Sequence, residues 1–290
     1  MPACLPGRDG CTRPAVLGFR LAWTPRNGSL GHRPFGIAAV SAVLALAAGA
    51  APAVEITQCG QSVPAGEIGE LRANLECTRA GDPLHLSAQG LILGRGATLN
   101  LNGFTIMGDG SGAGIQCAGC IISGPGEIAN FEVAITGGGG RVRIQNVVAR
   151  GNRNGMTYKA PRVIDLINVV MSDNAEIGMS ARGGRVRGRD VEASRNGTAG
   201  VWAPAVKLVR LTAIGNGSRG GVYATLPREA RLRLIDSTIT GNNGLEAGFD
   251  VLSTGRVTLR NTTCGRGARV REHVREETTT VIGRLRCAGD

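Results

Sequence analysis

The 290-residue chain holds 46 glycines and only 3 % aromatic residues, and its 33 lysines and arginines outnumber 22 aspartates and glutamates to give a net charge of +11. So few rings exclude a core of bulky aromatics and leave burial to Val, Ile, Leu and Ala, stacked closely between frequent glycine turns. The length allows one or two domains, and the positive balance favours acidic partners without bearing on the fold.

Residues 1–53 differ in kind from the rest of the chain. A polar, arginine-containing stretch ends at His32-Arg33-Pro34 and is followed by an unbroken apolar run from Phe35 to Ala51. Ala48-Gly49-Ala50 and Ala51-Pro52-Ala53 both satisfy the small-x-small rule, so a signal peptide cut after Ala53 is expected, and with it a secreted or periplasmic protein with no membrane span left after cleavage. The rival is a transmembrane anchor over Gly36 to Val54, which would barely cross a bilayer. The leader is long and Met107 is the next methionine after Met1, so the true start is expected inside the leader at a non-Met codon. Cleavage would remove Arg8, Arg13, Arg20, Arg26 and Arg33 but only one acid, Asp9, and the remainder stays basic.

One domain is expected over 54–290: an N-terminal cap at 54–87, repeats at 88–263 and a C-terminal cap at 264–290. Six cysteines fall within it, and an even count behind an export signal reads as disulfides. Many connectivities are open; proximity in the chain favours Cys59 with Cys77, Cys117 with Cys120 and Cys264 with Cys287, the first and last stapling the two ends. A redox or zinc site at Cys117-Ala-Gly-Cys120 is the rival, with one CxxC and no histidine nearby. The charged stretch from Arg269 to Glu277 is expected as a solvated part of the C-terminal cap.

Between the caps a short alternating strand followed by a polar or glycine corner recurs, as in Leu99-Asn-Leu101-Asn-Gly103, Val142-Arg-Ile144-Gln-Asn146 and Ile164-Asp-Leu166-Ile-Asn168. The corners at 103, 124, 146, 168, 190, 210, 236 and 261 are spaced by 21, 22, 22, 22, 20, 26 and 25 residues. Two further markers run in phase. Asn152, Asn174, Asn196, Asn216 and Asn242 follow the corners, and a glycine precedes an apolar residue at Gly155-Met156, Gly178-Met179, Gly200-Val201, Gly221-Val222 and Gly248-Phe249. A coil of about 22 residues cannot bury its inner face alone, so coils must stack at a strand spacing of about 4.8 Å, with every strand parallel to its equivalents. Asparagine at equivalent turns can hydrogen-bond along such a stack as a ladder. The sequons at Asn196, Asn216 and Asn261 are matches that a turn-rich repeat throws up by chance. Neither a leucine-rich repeat nor a propeller blade fits this period.

These repeats resemble those of the right-handed parallel β-helix proteins of the pectate-lyase-like superfamily, over roughly residues 90–263. The resemblance implies an all-β, single-stranded right-handed solenoid of 8–10 coils. It is poor for function, because the superfamily includes lyases, hydrolases, epimerases, adhesins and proteins without known activity. Pectate lyases of that group hold Ca²⁺ with acidic residues and use arginine or lysine as base; Tyr158-Lys159-Ala-Pro161-Arg162 is only a loose echo of their arginine signature. The Asn-Thr-Asp, Asp-Asp, Gly-His and Arg-x-Lys series of polygalacturonases is absent, and no carboxylates stand adjacent for inverting hydrolysis.

Beyond the leader the only histidines are His85 and His273, read as isolated surface residues. The repeat register places Arg143, Asp165, Arg187, Lys207, Arg233 and Thr258 in one outward column, with Arg189 and Arg260 in the next. Guanidinium groups so stacked could take carboxylates of a linear polymer bidentately; the bland alternative is a solvated face, with Asp165 neutralising its neighbours. Tyr158, Trp202 and Tyr223, beside Lys159, are expected to share a second face on which a sugar ring could stack. The expected function is binding of an extracellular anionic polysaccharide by a monomer without cofactor or nucleic acid. The alternatives are a uronate lyase or epimerase, with Lys159, Arg162 or Lys207 as base and Asp165 or Asp190 assisting through Ca²⁺, and a non-catalytic structural or surface-interaction protein.

Overall fold

A computed structural model describes residues 52–78, 89–225, 230–245, 247–273 and 278–287; the leader through Ala51 and His85 lie outside them. These residues form an all-β parallel solenoid of about eight turns, with its strands in a 14-stranded and an 11-stranded sheet. Among the described residues no helix is long and apolar enough to cross a membrane.

Period-2 alternation builds each turn. In the strand Arg141–Arg150, Val142, Ile144 and Ala149 are fully buried while Arg141 and Arg143 are exposed. That strand pairs in parallel with Val163–Ser172, setting Val142 on Ile164 and Ile144 on Leu166, and the same stack continues through Val186, Val206, Leu232 and Val257. A one-residue slip would turn this apolar column outward, so burial specifies the register.

The corners interrupt the strands. Gly103, Asn146, Asn168, Asp190, Arg210, Asp236 and Asn261 all have φ between 46° and 87°, while Gly124 is not among them. The ladder between 141–150 and 163–172 passes from Gln145 straight to Val147, skipping Asn146. Past the corner the two halves part company: the first half of Ala205–Ile214 pairs with Arg231–Ile235 and the second half with Thr238–Thr240. Left-handed geometry disfavours most side chains, and Asn and Asp tolerate it best. Arg210 occupies it while its guanidinium forms a two-pronged bond to the Asp190 carboxylate, at 2.6 and 2.7 Å.

The asparagine ladder is formed and buried. The Oδ1 atoms of Asn174, Asn196, Asn216 and Asn242 each accept the backbone N–H and the Nδ2 of the asparagine one turn earlier, and the first rung, Asn152, accepts the Phe131 N–H. A second Nδ2 bond from each goes to a backbone carbonyl such as Met171 O or Ala193 O. The glycine marker explains how they fit. A Cβ at Gly155, Gly178, Gly200 or Gly221 would meet the next asparagine's Nδ2 at 2.9–3.1 Å. At the last rung no asparagine follows, and Asp250 stands where the glycine would be. Its Oδ1 accepts from Asn242 N and Nδ2, and its Oδ2 from the backbone N–H groups of Gly265 and Arg266. The acceptor thus comes from the same turn.

Two expectations are corrected. Val251, not Phe249, pairs with Val222, because the long turn after Asn242 pushes the marker along the chain; Gly248-Phe249 belongs to that turn. Residues 54–77 are not a separate cap: their four strands each pair in parallel with a strand of the stack, so the coils begin there. At the other end Gly267–His273 stacks in parallel on Val251–Ser253, and Thr278–Leu285 then runs antiparallel to it, ending the parallel pattern. Cys59–Cys77, Cys117–Cys120 and Cys264–Cys287 are disulfides. Both half-cystines of the middle one are about 1 % exposed, which sets them among the core side chains rather than at a redox surface.

Candidate basic furrow on the first sheet

Three outward columns cover the sheet that contains Arg141–Arg150. The first runs Arg141, Val163, Arg185, Ala205, Arg231, Arg256; the second runs Arg143, Asp165, Arg187, Lys207, Arg233, Thr258; the third contains Arg189 and Arg260. Parallel register therefore gathers ten cations that lie scattered over 120 residues of chain, with Asp165 as the acid among them. Depressions lie between the long side chains, and beside Arg185 they are opened by the short Ala205 and Val163. One of about 420 Å³ lies between Arg141, Arg143, Asp165, Arg187, Arg189 and Lys207. A second, of about 350 Å³, is bounded by Arg185, Lys207, Arg231, Arg233, Arg256 and Thr258. A third continues past Arg185 to Arg162. Shared Lys207 and Arg185 join them into a furrow.

The two ends of this furrow differ electrostatically. Asp165 accepts from Arg141 Nε at 2.9 Å and from Arg187 through both Nε and Nη2. Column position predicts that Asp165 neutralises Arg143 and Arg187; it neutralises Arg141 and Arg187 instead, because Arg141 reaches diagonally. Burial pushes the Asp165 carboxyl up, but the hydrogen bonds and charges of Arg187 and Arg141 together outweigh it and hold it below the ordinary carboxylate range. Stability linked to this group is then complete above the ordinary aspartate pKa and is lost as pH falls through the lower folded value. The gap in urea midpoint between wild type and Asp165→Asn should accordingly be widest at neutral pH and close in acid; a gap that stays constant down to about pH 2 would contradict the linkage.

At the other end the side chains of Arg185, Lys207, Arg233 and Arg256 make no hydrogen bond or ion pair with any described residue. All four are exposed.

The aromatic face is only partly as expected. Trp202 pairs with Tyr223 across adjacent turns of the second sheet, with ring centroids 6.2 Å apart. Tyr158 instead points into the core, fully buried, and burial raises its hydroxyl pKa. The signal was present in the sequence: Tyr158 stands three residues after its glycine, whereas Trp202 and Tyr223 stand two after theirs, and strand parity sends odd and even offsets to opposite faces. Tyr223 is itself 3 % exposed, so no open platform is formed by the three rings.

The proposed acid and base residues do not converge. Lys207 and Asp165 line one depression and Arg162 another, while Lys159 lies at the end of the second sheet, beside Arg182. Asp190 sits at a corner, where first the Arg210 hydrogen bond, against some burial, holds its carboxyl low. Among the described residues no group of three or more His, Cys, Asp and Glu side chains is placed to hold a metal ion. Of the sequons, Asn196 and Asn216 are buried ladder rungs, and Asn261 is an exposed corner that donates to Asp236.

No protein-family model matches the chain, and no curated protein is significantly similar to it. Among solved structures it is similar to the crystal structure of pectate lyase Pel9A, at 14 % sequence identity and a TM-score of 0.33, over 71 % of this chain and 72 % of that one. A likeness so distant bears on no residue or activity of this chain.

Proposed function

We propose that the protein is a secreted, non-catalytic binder of a linear anionic polysaccharide, held along the basic furrow of the first sheet. The observation that carries this is the cluster of Arg185, Lys207, Arg233 and Arg256, four exposed cations around one depression with no acid partner among the described residues. Cations set in successive turns of a column, such as Lys207 and Arg233, have backbones only about 4.8 Å apart and repel one another. A polymer bearing regularly spaced carboxylates relieves that repulsion and offers the planar, two-pronged geometry that guanidinium groups prefer. Three disulfides and the apolar run after Arg33 support export, where such polymers occur. The binding needs no cofactor.

The test is retention on immobilised polygalacturonate and alginate across a salt gradient. Arg185→Ala with Arg256→Ala should weaken binding by about tenfold or more and flatten its salt dependence, since each removes a charge-assisted contact. Retention unchanged in the double variant would sink the proposal. Ultraviolet absorbance followed in the same mixtures, with and without Ca²⁺, reports the conjugated double bond of β-elimination; its appearance would make the protein a lyase instead.

A further inference from the structure

On the second sheet Trp202 is held by its neighbours rather than left open to a sugar. Its Nε1 donates to Thr225 Oγ1 at 3.1 Å, which fixes the ring in its plane. The Arg219 guanidinium lies 4.4 Å from the indole centroid and 5.5 Å from that of Tyr223, and the Arg182 guanidinium lies 5.6 Å from the indole. The two arginines come from opposite sides along the stack. Arg182 ends the strand of the turn before Trp202, and Arg219 stands one residue ahead of the strand of the turn after it. Arg219 is anchored further by its backbone N–H, which donates to Thr198 O at 2.8 Å.

With guanidinium groups over it, the indole is not available as a stacking platform. What it does is orient them. A guanidinium stacked on an aromatic face keeps its in-plane N–H donors pointing outward and has already lost much of its rotamer freedom, so little more is lost when a ligand arrives. Neither Arg182 nor Arg219 has an ion pair or side-chain hydrogen bond to any described residue. Lys159 stands next to Arg182 in the adjacent turn and adds a third cation. We propose that Arg182 and Arg219, organised around Trp202, form with Lys159 a second anion site, on the second sheet, that takes a small oxyanion group: a carboxylate or a phosphate.

The chain contains two tryptophans, Trp23 in the leader and Trp202. In the full-length chain carrying Trp23→Phe, tryptophan emission therefore reports on this site alone. Glucuronate and inorganic phosphate, titrated separately against sodium chloride at matched ionic strength, distinguish the two oxyanion sources. A saturable change in emission with at least one of them is expected, with its midpoint shifted tenfold or more by Arg182→Ala and by Arg219→Ala and unmoved by Arg185→Ala with Arg256→Ala. Emission that follows chloride alone, or a midpoint indifferent to Arg182 and Arg219, would overturn the proposal. Loss of the response in the furrow variant would overturn it too, by placing the anion on the first sheet.

Discussion

Asn196→Ala should destabilise the protein by about 3–5 kcal/mol, because each buried polar group it orphans costs roughly 1–3 kcal/mol. The Asn196 Oδ1 accepts the Asn174 N–H and Nδ2, at 3.2 and 2.9 Å, and its Nδ2 donates to Met171 O and Asn216 Oδ1 at 3.0 and 2.9 Å. Alanine orphans the Asn174 N–H and takes one bond each from Asn174 Nδ2, Met171 O and Asn216 Oδ1 where water does not reach, since Asn174, Asn196 and Asn216 are all 2 % exposed or less. Asn146→Ala provides the contrast. Asn146 is an exposed corner that accepts one bond from Asn168, and water can replace it, so the loss should be about 1 kcal/mol, mostly the strain of alanine at positive φ. Urea denaturation measures both. Adding Asn174→Ala to Asn196→Ala should cost less than the sum of the two, since the rungs share bonds. Equal losses at Asn196 and Asn146 would show that the ladder does not contribute as its geometry implies.

Tyr158→Ala should be of similar size, about 3–5 kcal/mol, as for other buried aromatics truncated in a closed core. The ring stacks between Gly137 in the turn before and Ala181 in the turn after, and neither is large enough to refill the space. Tyr158→Phe should move the other way. The hydroxyl is buried and has no hydrogen-bond partner among the described residues, so removing it relieves a desolvation penalty of up to about 1–2 kcal/mol at almost no change in shape. A Tyr158→Phe variant less stable than wild type would mean that the hydroxyl has found a partner.

The coil period, the strand faces and the corners were legible in the sequence because each rests on a local regularity. Alternation sorts Val142 and Ile144 from Arg143 within four residues, and a spacing near 22 then aligns Val142 with Ile164 without further information. The same regularity identified the asparagine ladder and two of the three outward columns, but not the one with Arg141, Arg185, Arg231 and Arg256, which stands at the start of each strand, one position before the first inward residue. Where turns lengthen after residue 210, the spacing lost its authority, and the last glycine marker was misplaced by two residues. Tyr158 could have been assigned from parity alone, since an offset of three from its glycine against two for Trp202 already puts the rings on opposite faces.

The rest depended on side chains that meet from different turns. Arg141 rather than Arg143 reaches Asp165, a choice made by rotamers across a diagonal, which column position does not express. Asp250 takes over the last rung because a carboxylate fits where the missing asparagine leaves room, and Arg182 and Arg219 close on Trp202 from turns on either side. By itself the sequence determined a parallel stack and which residues face outward, since burial and period demand both. Which outward charges neutralise one another and which are left for a ligand was decided only by the tertiary structure, because that depends on distances of a few ångströms between residues some twenty or more apart in the chain.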